Sequence, residues 1–394
     1  MDCLFYLCSD IESKRYMNNP FVTNGYAGEH YFCDRVEETQ RLIDLLTNGN
    51  NVALISPRRL GKTDLIRHSF GQPEIKKDYY TFLIDIYATS SVQDLVKVLG
   101  RSIIDALKPF GKKVMQYFID VVSSLRSDIT FDVFGQPSLG VSMGSIDNPE
   151  TSLEEIFRFL ENADHPCVVA IDEFQQIASY SGKINVEALL RTHIQRCRNA
   201  NFIFAGSQRH LMDNMFTSPS RPFYQSVTIM NLQPLALDVY REFAVGLFAE
   251  EGKTLQPEVV DKVYQDFNGV TAYMQRLMNV MFMRTPQGEI CTPDMIDDAI
   301  DYTLMMAGDT YEALLRQMPE KQRNVFIAIV AEGEVENVTS GAFARKYRLP
   351  SASSVNSAVK GLLAKDFITH GKNGYQAYDK LFALWLKRYM KTGS

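Results

Sequence analysis

Long apolar runs are missing from this sequence. None approaches the roughly 18 residues that a helix needs to cross a bilayer, so no membrane segment is expected. Cysteine is scarce and unpatterned: Cys3, Cys8, Cys33, Cys167, Cys197 and Cys291 make no metal-ligand pairs and fit buried thiols in a reducing cytoplasm. His30, His68, His165, His193 and His210 show no metal spacing, so a zinc site is not expected. No Ser/His/Asp or Cys/His set points to another kind of hydrolase chemistry. The apolar stretch Met1-Asp-Cys-Leu-Phe-Tyr-Leu-Cys8 is too short, and too acidic at its start, to read as a signal peptide. Internal repeats and low-complexity tracts are absent. The lone tryptophan, Trp385, lies on an amphipathic closing helix and is expected in a core.

The remaining composition, 45% hydrophobic and 22% charged over 394 residues, is that of a soluble globular chain with two or three domains. The net charge of −6 hides an asymmetry. Residues 311–394 carry 13 Lys and Arg against 7 Asp and Glu, on an otherwise acidic body. A basic end suggests an anionic partner, although a solvated basic face gives the same count.

From about residue 20 to 233, short apolar strands alternate with helical patterns, which predicts an α/β fold with a doubly wound parallel sheet. The candidate strands are Asn51–Ile55, Tyr80–Ile86, Cys167–Ile171, Phe202–Ala205 and Val227–Leu232. An insertion over about 92–150 carries one or two helices (Val92–Leu125) and a hairpin in Asp128–Gly144 around Gly-Gln-Pro-Ser. Residues 234–308 are almost wholly helical in pattern, with breaks at Asn268-Gly269 and Pro286-Gln-Gly288. Residues 309–394 show helical stretches at Tyr311–Glu332, Ser340–Tyr347 and Ser351–Lys365, then two β runs around a Gly-Lys-Asn-Gly turn. That order is a winged helix-turn-helix. The expected domains are therefore a core over 1–233, a helical lid over 234–308 and a winged helix over 309–394.

The most informative stretch is Ser56-Pro-Arg-Arg-Leu-Gly-Lys-Thr63 between the first strand and a helix beginning near Asp64. A strand, a tight loop ending in Gly-Lys-Thr and a helix are the parts of a phosphate-binding P-loop. Loop amides face an anion, Lys62 adds a point charge, and Thr63 can ligate Mg²⁺. Ser56 stands where the motif asks for glycine, and Pro57 removes one amide donor. Arg58 and Arg59, beside Leu60 and Gly61, either touch phosphate or pair with acidic neighbours. A second motif ends the strand Cys167–Ile171 in Asp172-Glu173, two carboxylates at the edge where open α/β sheets bind ligands. There the first acid positions Mg²⁺ and the second polarises the attacking water. Gly206-Ser207-Gln208 ends a neighbouring strand, and Ser207 or Gln208 is a candidate γ-phosphate sensor.

These residues resemble the prokaryotic archaeal-type P-loop ATPases of the AAA+/STAND superclass. The resemblance rests on Tyr31-Phe-Cys-Asp-Arg35 with Glu37 and Glu38, the P-loop, Ile-Asp-Glu-Phe174 and Phe-Ala-Gly-Ser207. It continues through Arg221-Pro-Phe-Tyr224, Leu232-Gln-Pro-Leu235, Asn268-Gly-Val-Thr-Ala-Tyr-Met-Gln275 and the terminal winged helix. It implies an ATPase core, a helical lid, a DNA-binding-type module and a nucleotide-driven switch between conformations; slow, regulatory hydrolysis that repositions the C-terminal module is the reading expected here. Phe32 and Arg35 would line the adenine, Lys62 and Thr63 hold phosphate and Mg²⁺, and Asp172 and Glu173 serve metal and water. Arg221 would be an arginine finger in cis or in trans, or else a structural ion-pair partner. Origin-recognition relatives carry a lid arginine where this chain has Ala272, and Arg276 lies one turn further on.

In the C-terminal module, Ser353, Ser354, Asn356 and Lys360 are expected on the outer face of a recognition helix, with Arg345 and Lys346 before it and Lys372 on the wing. The partners expected are ATP or ADP, double-stranded DNA through the winged helix, and a protein partner or a second copy; no membrane contact is expected. Two rival readings stay open: a nucleotide-binding signalling or defence scaffold with little hydrolysis, and a transcription regulator in which DNA binding is primary.

Overall fold

The computed structural model describes residues 19–131, 137–139, 146, 148–182 and 184–389. Two compact units are present, and each is treated on its own.

The first unit comprises Val22–Phe243 and Asn268–Gln275. Its centre is a five-stranded parallel sheet of β1 (Val52–Ile55), β2 (Tyr80–Asp85), β3 (Cys167–Asp172), β4 (Ala200–Gly206) and β5 (Thr228–Asn231), in the order β2-β3-β4-β1-β5. All five expected strands form, with ends shifted by one or two residues. Their near-continuous apolar runs follow from burial on both faces. Period-2 alternation sends Ala53, Ile55, Phe82, Ile84, Val169, Ile171, Phe202 and Phe204 to one core, and Val52, Leu54, Val168, Ala170, Ile203 and Ala205 to the other. The first core is closed by the helices Val92–Leu107, Lys112–Val121, Pro149–Asn162 and Val186–Arg196. The second is closed by Val36–Thr47 and Lys62–Gly71. Ser91, Asn148 and Asn185 cap three of these helices by accepting the amide of the residue three further on.

Within the insertion, two helices form as expected, and Ile129–Phe131 pairs antiparallel with Pro137–Leu139. The turn differs from expectation. Pro137 and Ser138 belong to the second strand, and Gly135-Gln136 lies outside the described residues. Proline is tolerated at a strand's first residue because a missing donor costs least there.

The second unit takes in residues 19–21, Ala244–Phe267 and the chain from Arg276 onward. Besides helices, it contains a short parallel pair, Thr254–Leu255 with Ile290–Cys291, in a region expected to be almost wholly helical. The expected single stretch Tyr311–Glu332 is two helices. Met295–Gln317 runs through residue 309, and a new helix, Glu320–Glu332, starts after Pro319, which has no amide to continue the ladder. Helices Gly341–Lys346 and Ala352–Ala364 follow. Ile368–His370 and Tyr375–Ala377 then form the expected hairpin, joined by Glu334–Val335 as a third strand. Val355, Ala358, Val359 and Leu362 are buried, as the spacing requires. Trp385 is only half-buried, its ring 5.8 Å from Tyr311 and 6.2 Å from Phe382.

Beneath the sheet's carboxyl edge, Phe204 lies 4.5 Å from Phe174, 5.6 Å from Phe216 and 5.3 Å from Phe223, ring centre to ring centre. These rings support the segments that carry Glu173 and Ser207. Phe204→Ala should cost about 3–5 kcal/mol in urea unfolding. A loss below about 1 kcal/mol would mean that the cluster is not a closed core.

Candidate functional site

The loop after β1 accommodates its unusual residues for local reasons. Ser56 continues the strand, donating its amide to the Gly206 carbonyl at 3.2 Å. It is not among the left-handed residues, so nothing there requires glycine, and its hydroxyl donates to the Pro57 carbonyl at 3.0 Å. Pro57 is exposed. Leu60 is buried in the second core. Gly61 has φ +83°, the left-handed turn into the helix Lys62–Gly71, which explains the motif's strict glycine here.

The helix delivers Lys62 and Thr63 to the acids at the end of β3. Lys62 Nζ lies 2.9 Å from Asp172 Oδ1 and 3.5 Å from Glu173 Oε1, with about 8% of the lysine side chain exposed. Thr63 donates to Asp172 Oδ2 at 2.5 Å. Burial by itself would raise the Asp172 carboxyl, but the Lys62 ammonium, the Thr63 hydroxyl and the Glu173 amide outweigh it and hold the group below its ordinary range. Asp64, also on this helix, is pushed up by burial and by Asp172 despite Arg67.

Glu173 sits in a left-handed conformation, φ 55° and ψ 40°, which ends the extended backbone of β3. That carboxylate accepts from Ser207 at 2.8 Å and from Gln175 at 2.5 Å. Arg58 donates to the Ser207 hydroxyl at 3.3 Å and lies 5.7 Å from the Tyr87 ring centre. A Cβ at Gly206 would come within 2.4 Å of Met212 Sδ and 2.5 Å of Gln175 Oε1, so a larger residue there would have to push those side chains aside.

On the other side of the loop is a cleft of about 160 Å³ lined by Tyr26, Phe32, Arg35, Arg59, Asp64 and Gln275, among others. It is small beside ordinary ligand pockets of roughly 300–1,000 Å³, and suits part of a ligand whose remainder lies on the loop. Phe32 stacks on His68 at 4.4 Å, and the Tyr26 hydroxyl meets His68 Nδ1 at 3.0 Å. Burial lowers the His68 pKa, so the neutral ring is favoured. Arg35 pairs with Glu38 at 2.7 Å and donates to the Leu60 carbonyl at 3.3 Å, tying the upstream box to the loop.

Arg221 is not brought into this cluster. Its guanidinium pairs with Glu187 on the helix Val186–Arg196, leaving Arg221 Nε and Glu187 Oε2 buried without partners. In the other unit, Arg345, Ser353, Asn356, Lys360 and Lys372 are exposed and Ser354 is half-buried. Lys346 is exposed but pairs with Glu332 at 2.5 Å.

Sequence reasoning missed Gln175, His68 and the role of Tyr273. Gln175 follows Glu173 by two residues, but only the 3₁₀ turn Phe174–Ser179 returns it to that carboxylate. Tyr273 accepts from Arg59 at 2.7 Å. It lies within the quoted Asn268–Gln275 motif, which is a signal of position rather than of partner.

The family of ATPase domains predominantly from Archaea matches residues 32–277, and a probable winged helix domain matches residues 309–388. The Walker-type ATPase PABY2304 of Pyrococcus abyssi is 18% identical, with 93% of this chain and 99% of that chain covered and a TM-score of 0.62. The ORC2 protein of Aeropyrum pernix, in ADPNP–ADP complexes, is 14% identical, with 95% and 98% covered and a TM-score of 0.57. The ORC1 protein of Aeropyrum pernix, in complex with DNA, is 12% identical over the same shares, with a TM-score of 0.54. At these identities the likeness is one of fold. No curated protein matches the sequence. Among the described residues, no helix is long and apolar enough to cross a membrane.

The depressed Asp172 pKa fixes a pH dependence. The stability it contributes is present above the ordinary carboxylate value of 3.8 and is lost as pH falls through the lower folded value. The gap in melting temperature between wild type and Asp172→Asn should therefore be full at pH 7 and shrink below about pH 4. A gap independent of pH would refute this.

Proposed function

Because the chain belongs to the family of ATPase domains found predominantly in Archaea, we propose that it binds ATP with Mg²⁺ and hydrolyses it slowly to ADP and phosphate. The observation that carries this reading is the Lys62 ammonium lying between Asp172 and Glu173 with Thr63 on Asp172. Lys62 is neutralised by acids where a phosphate would take over that task. Thr63 and Asp172 offer the hard oxygen atoms that Mg²⁺ prefers, the substrate phosphates completing its shell. Bound Mg²⁺ would neutralise charge on the phosphate oxygens. Loop amides and Lys62 hold the phosphates, Phe32 and Arg35 line the base, and Glu173 accepts the proton of the attacking water.

Slow turnover is supported by the state of Glu173, whose carboxylate is engaged by Ser207, Gln175 and Lys62. The same feature favours the rival reading, a nucleotide-binding scaffold that turns over little. Arg221 would act as an arginine finger only after leaving Glu187. In functional terms, the core over 1–233 and lid over 234–308 respond to nucleotide, and the winged helix over 309–394 reads out the response. DNA is the favoured partner of that module. Arg345, Ser353, Asn356, Lys360 and Lys372 are exposed on it, and a similar fold, the ORC1 protein, was solved with DNA.

Glu173→Gln should lower ATP turnover by about 10²–10⁴-fold, the usual worth of a general base, while ATP still binds. A wild type with no turnover under any effector would replace the enzyme reading with the scaffold. For the winged helix, Arg345→Ala with Lys360→Ala should weaken duplex binding and reduce the slope of log affinity against log salt by about 2. An unchanged slope would remove DNA as the partner.

A further inference from the structure

Strand β2 ends the five-stranded sheet, and among the described residues no strand pairs with its outer edge. Its ladder with β3 is unbroken from the Tyr80–Cys167 pair to the Asp85–Asp172 pair. The Tyr80 amide donates to the Pro166 carbonyl at 2.9 Å, and the Ile86 amide to the Asp172 carbonyl at 3.2 Å. Even-numbered residues of β2 therefore face β3, and the amides and carbonyls of Thr81, Leu83 and Asp85 point outward. Sheet edges are usually blunted by proline, lysine or a bulge, because an open row of backbone groups invites another chain. Tyr80-Thr-Phe-Leu-Ile84 has none of these devices.

Thr81 and Leu83 also line a groove of about 580 Å³. Arg67 and Phe70, from the helix on one face of the sheet, and Lys76 form one wall. Asp105 and Ala106, from the helix Val92–Leu107 on the other face, form the second. The edge is thus a floor between two walls. The sheet is also thinly covered here. Val168, Ala170, Ile203 and Ala205 on the second face of the inner strands are wholly buried, whereas Thr81, Leu83 and Phe70 are only half-buried. Arg67 and Lys76 are exposed, and Asp105 is matched by Lys108 at 2.5 Å, so the lining keeps a positive excess. Arg67 also faces Asp64 on its own helix, which makes Lys76 the main cation.

We propose that the outer edge of β2 is a docking site for an extended, acidic segment of a partner protein, which adds to the sheet as a sixth strand. In such strand addition the main chain supplies the affinity and alternate side chains supply the specificity. Here the outward groups of Thr81 and Leu83 pair with the segment, an apolar side chain of it covers Leu83 and Phe70, and its acid meets Lys76. Lys76 precedes the strand and Asp85 ends it, so the acid lies at the Lys76 end. The walls decide against a second copy. A single extended segment fits between them, whereas the β2 of another copy brings its own flanking helices and is held off.

The probes are two fluorescein-labelled heptapeptides, Glu-Glu-Val-Thr-Val-Thr-Val and the reverse order, which cover parallel and antiparallel addition. Each is titrated with the full-length chain and read by anisotropy and by residue-resolved amide exchange. One of the two should bind with a Kd below about 1 mM. Exchange at Thr81 and Leu83 should then slow by at least about tenfold, while Phe82 and Ile84, already in the ladder, stay unchanged. Thr81→Pro removes only an outward amide, so the ladder with β3 is kept while peptide affinity falls by at least about tenfold. Lys76→Glu should weaken binding by about fivefold, the upper range for an exposed ion pair, and it decides the matter if Thr81→Pro does not fold. Binding of neither peptide overturns the proposal, as does binding that leaves the Thr81 and Leu83 amides unchanged. Equal binding of peptides with lysine in place of glutamate, or wild-type affinity in a folded Thr81→Pro or in Lys76→Glu, also overturns it. Protection of Thr81 and Leu83 before any peptide is added overturns it too, assigning the edge to a second copy if it grows with protein concentration and to this chain itself if it does not.

Discussion

The Lys62 ammonium, buried between Asp172 and Glu173, is the interaction on which the rest of this structure depends. A charge with so little exposure is tolerable only beside opposite charge, and removing one partner of a buried pair typically costs about 3–5 kcal/mol. Meeting that need draws together the loop after β1, the helix it starts and the end of β3. Thr63 on Asp172, Ser207 and Gln175 on Glu173, and Arg58 on Ser207 extend the same network. The parallel sheet with both faces buried sets β1, β3 and β4 side by side, so that three segments distant in sequence end at one edge.

These bonds bear on the proposed function. The side chains of Lys62, Thr63 and Glu173 each bond other side chains of the protein, so on the proposed reading a nucleotide would displace those bonds. In that event Lys62 would leave the acids for phosphate, Thr63 would exchange a carboxylate for a metal, and Glu173 would leave Ser207 and Gln175 for water. Such an exchange would slow turnover, which suits the regulatory role proposed above. Arg221 repeats the pattern by resting on Glu187.

Much of this was legible in the residues. The five strands were readable because a strand buried on both faces must be apolar throughout, and Gly-Lys-Thr and Asp172-Glu173 because phosphate chemistry permits few substitutes. Ser56 looked like a defect only while every P-loop position was assumed to need glycine; its backbone is ordinary, and the left-handed turn belongs to Gly61. The break at Pro319 was written in the sequence but lost beneath helical periodicity on either side. Gln175 and Tyr273 were not legible. Their roles depend on where a 3₁₀ turn and a distant helix start return them in space, and neither residue type announces such a role. The division of labour between Arg58 and Arg59 was likewise beyond the sequence, because adjacent side chains on a turn diverge according to its dihedral angles.

The central claim is that the Lys62 cluster is a resting phosphate site. Calorimetric titration of the full-length chain with ATP, with and without Mg²⁺, tests it most directly. The account predicts one site per chain, tighter with Mg²⁺, whose affinity falls by at least about tenfold in Lys62→Ala. Binding that is absent in wild type, or unchanged in Lys62→Ala, would contradict it.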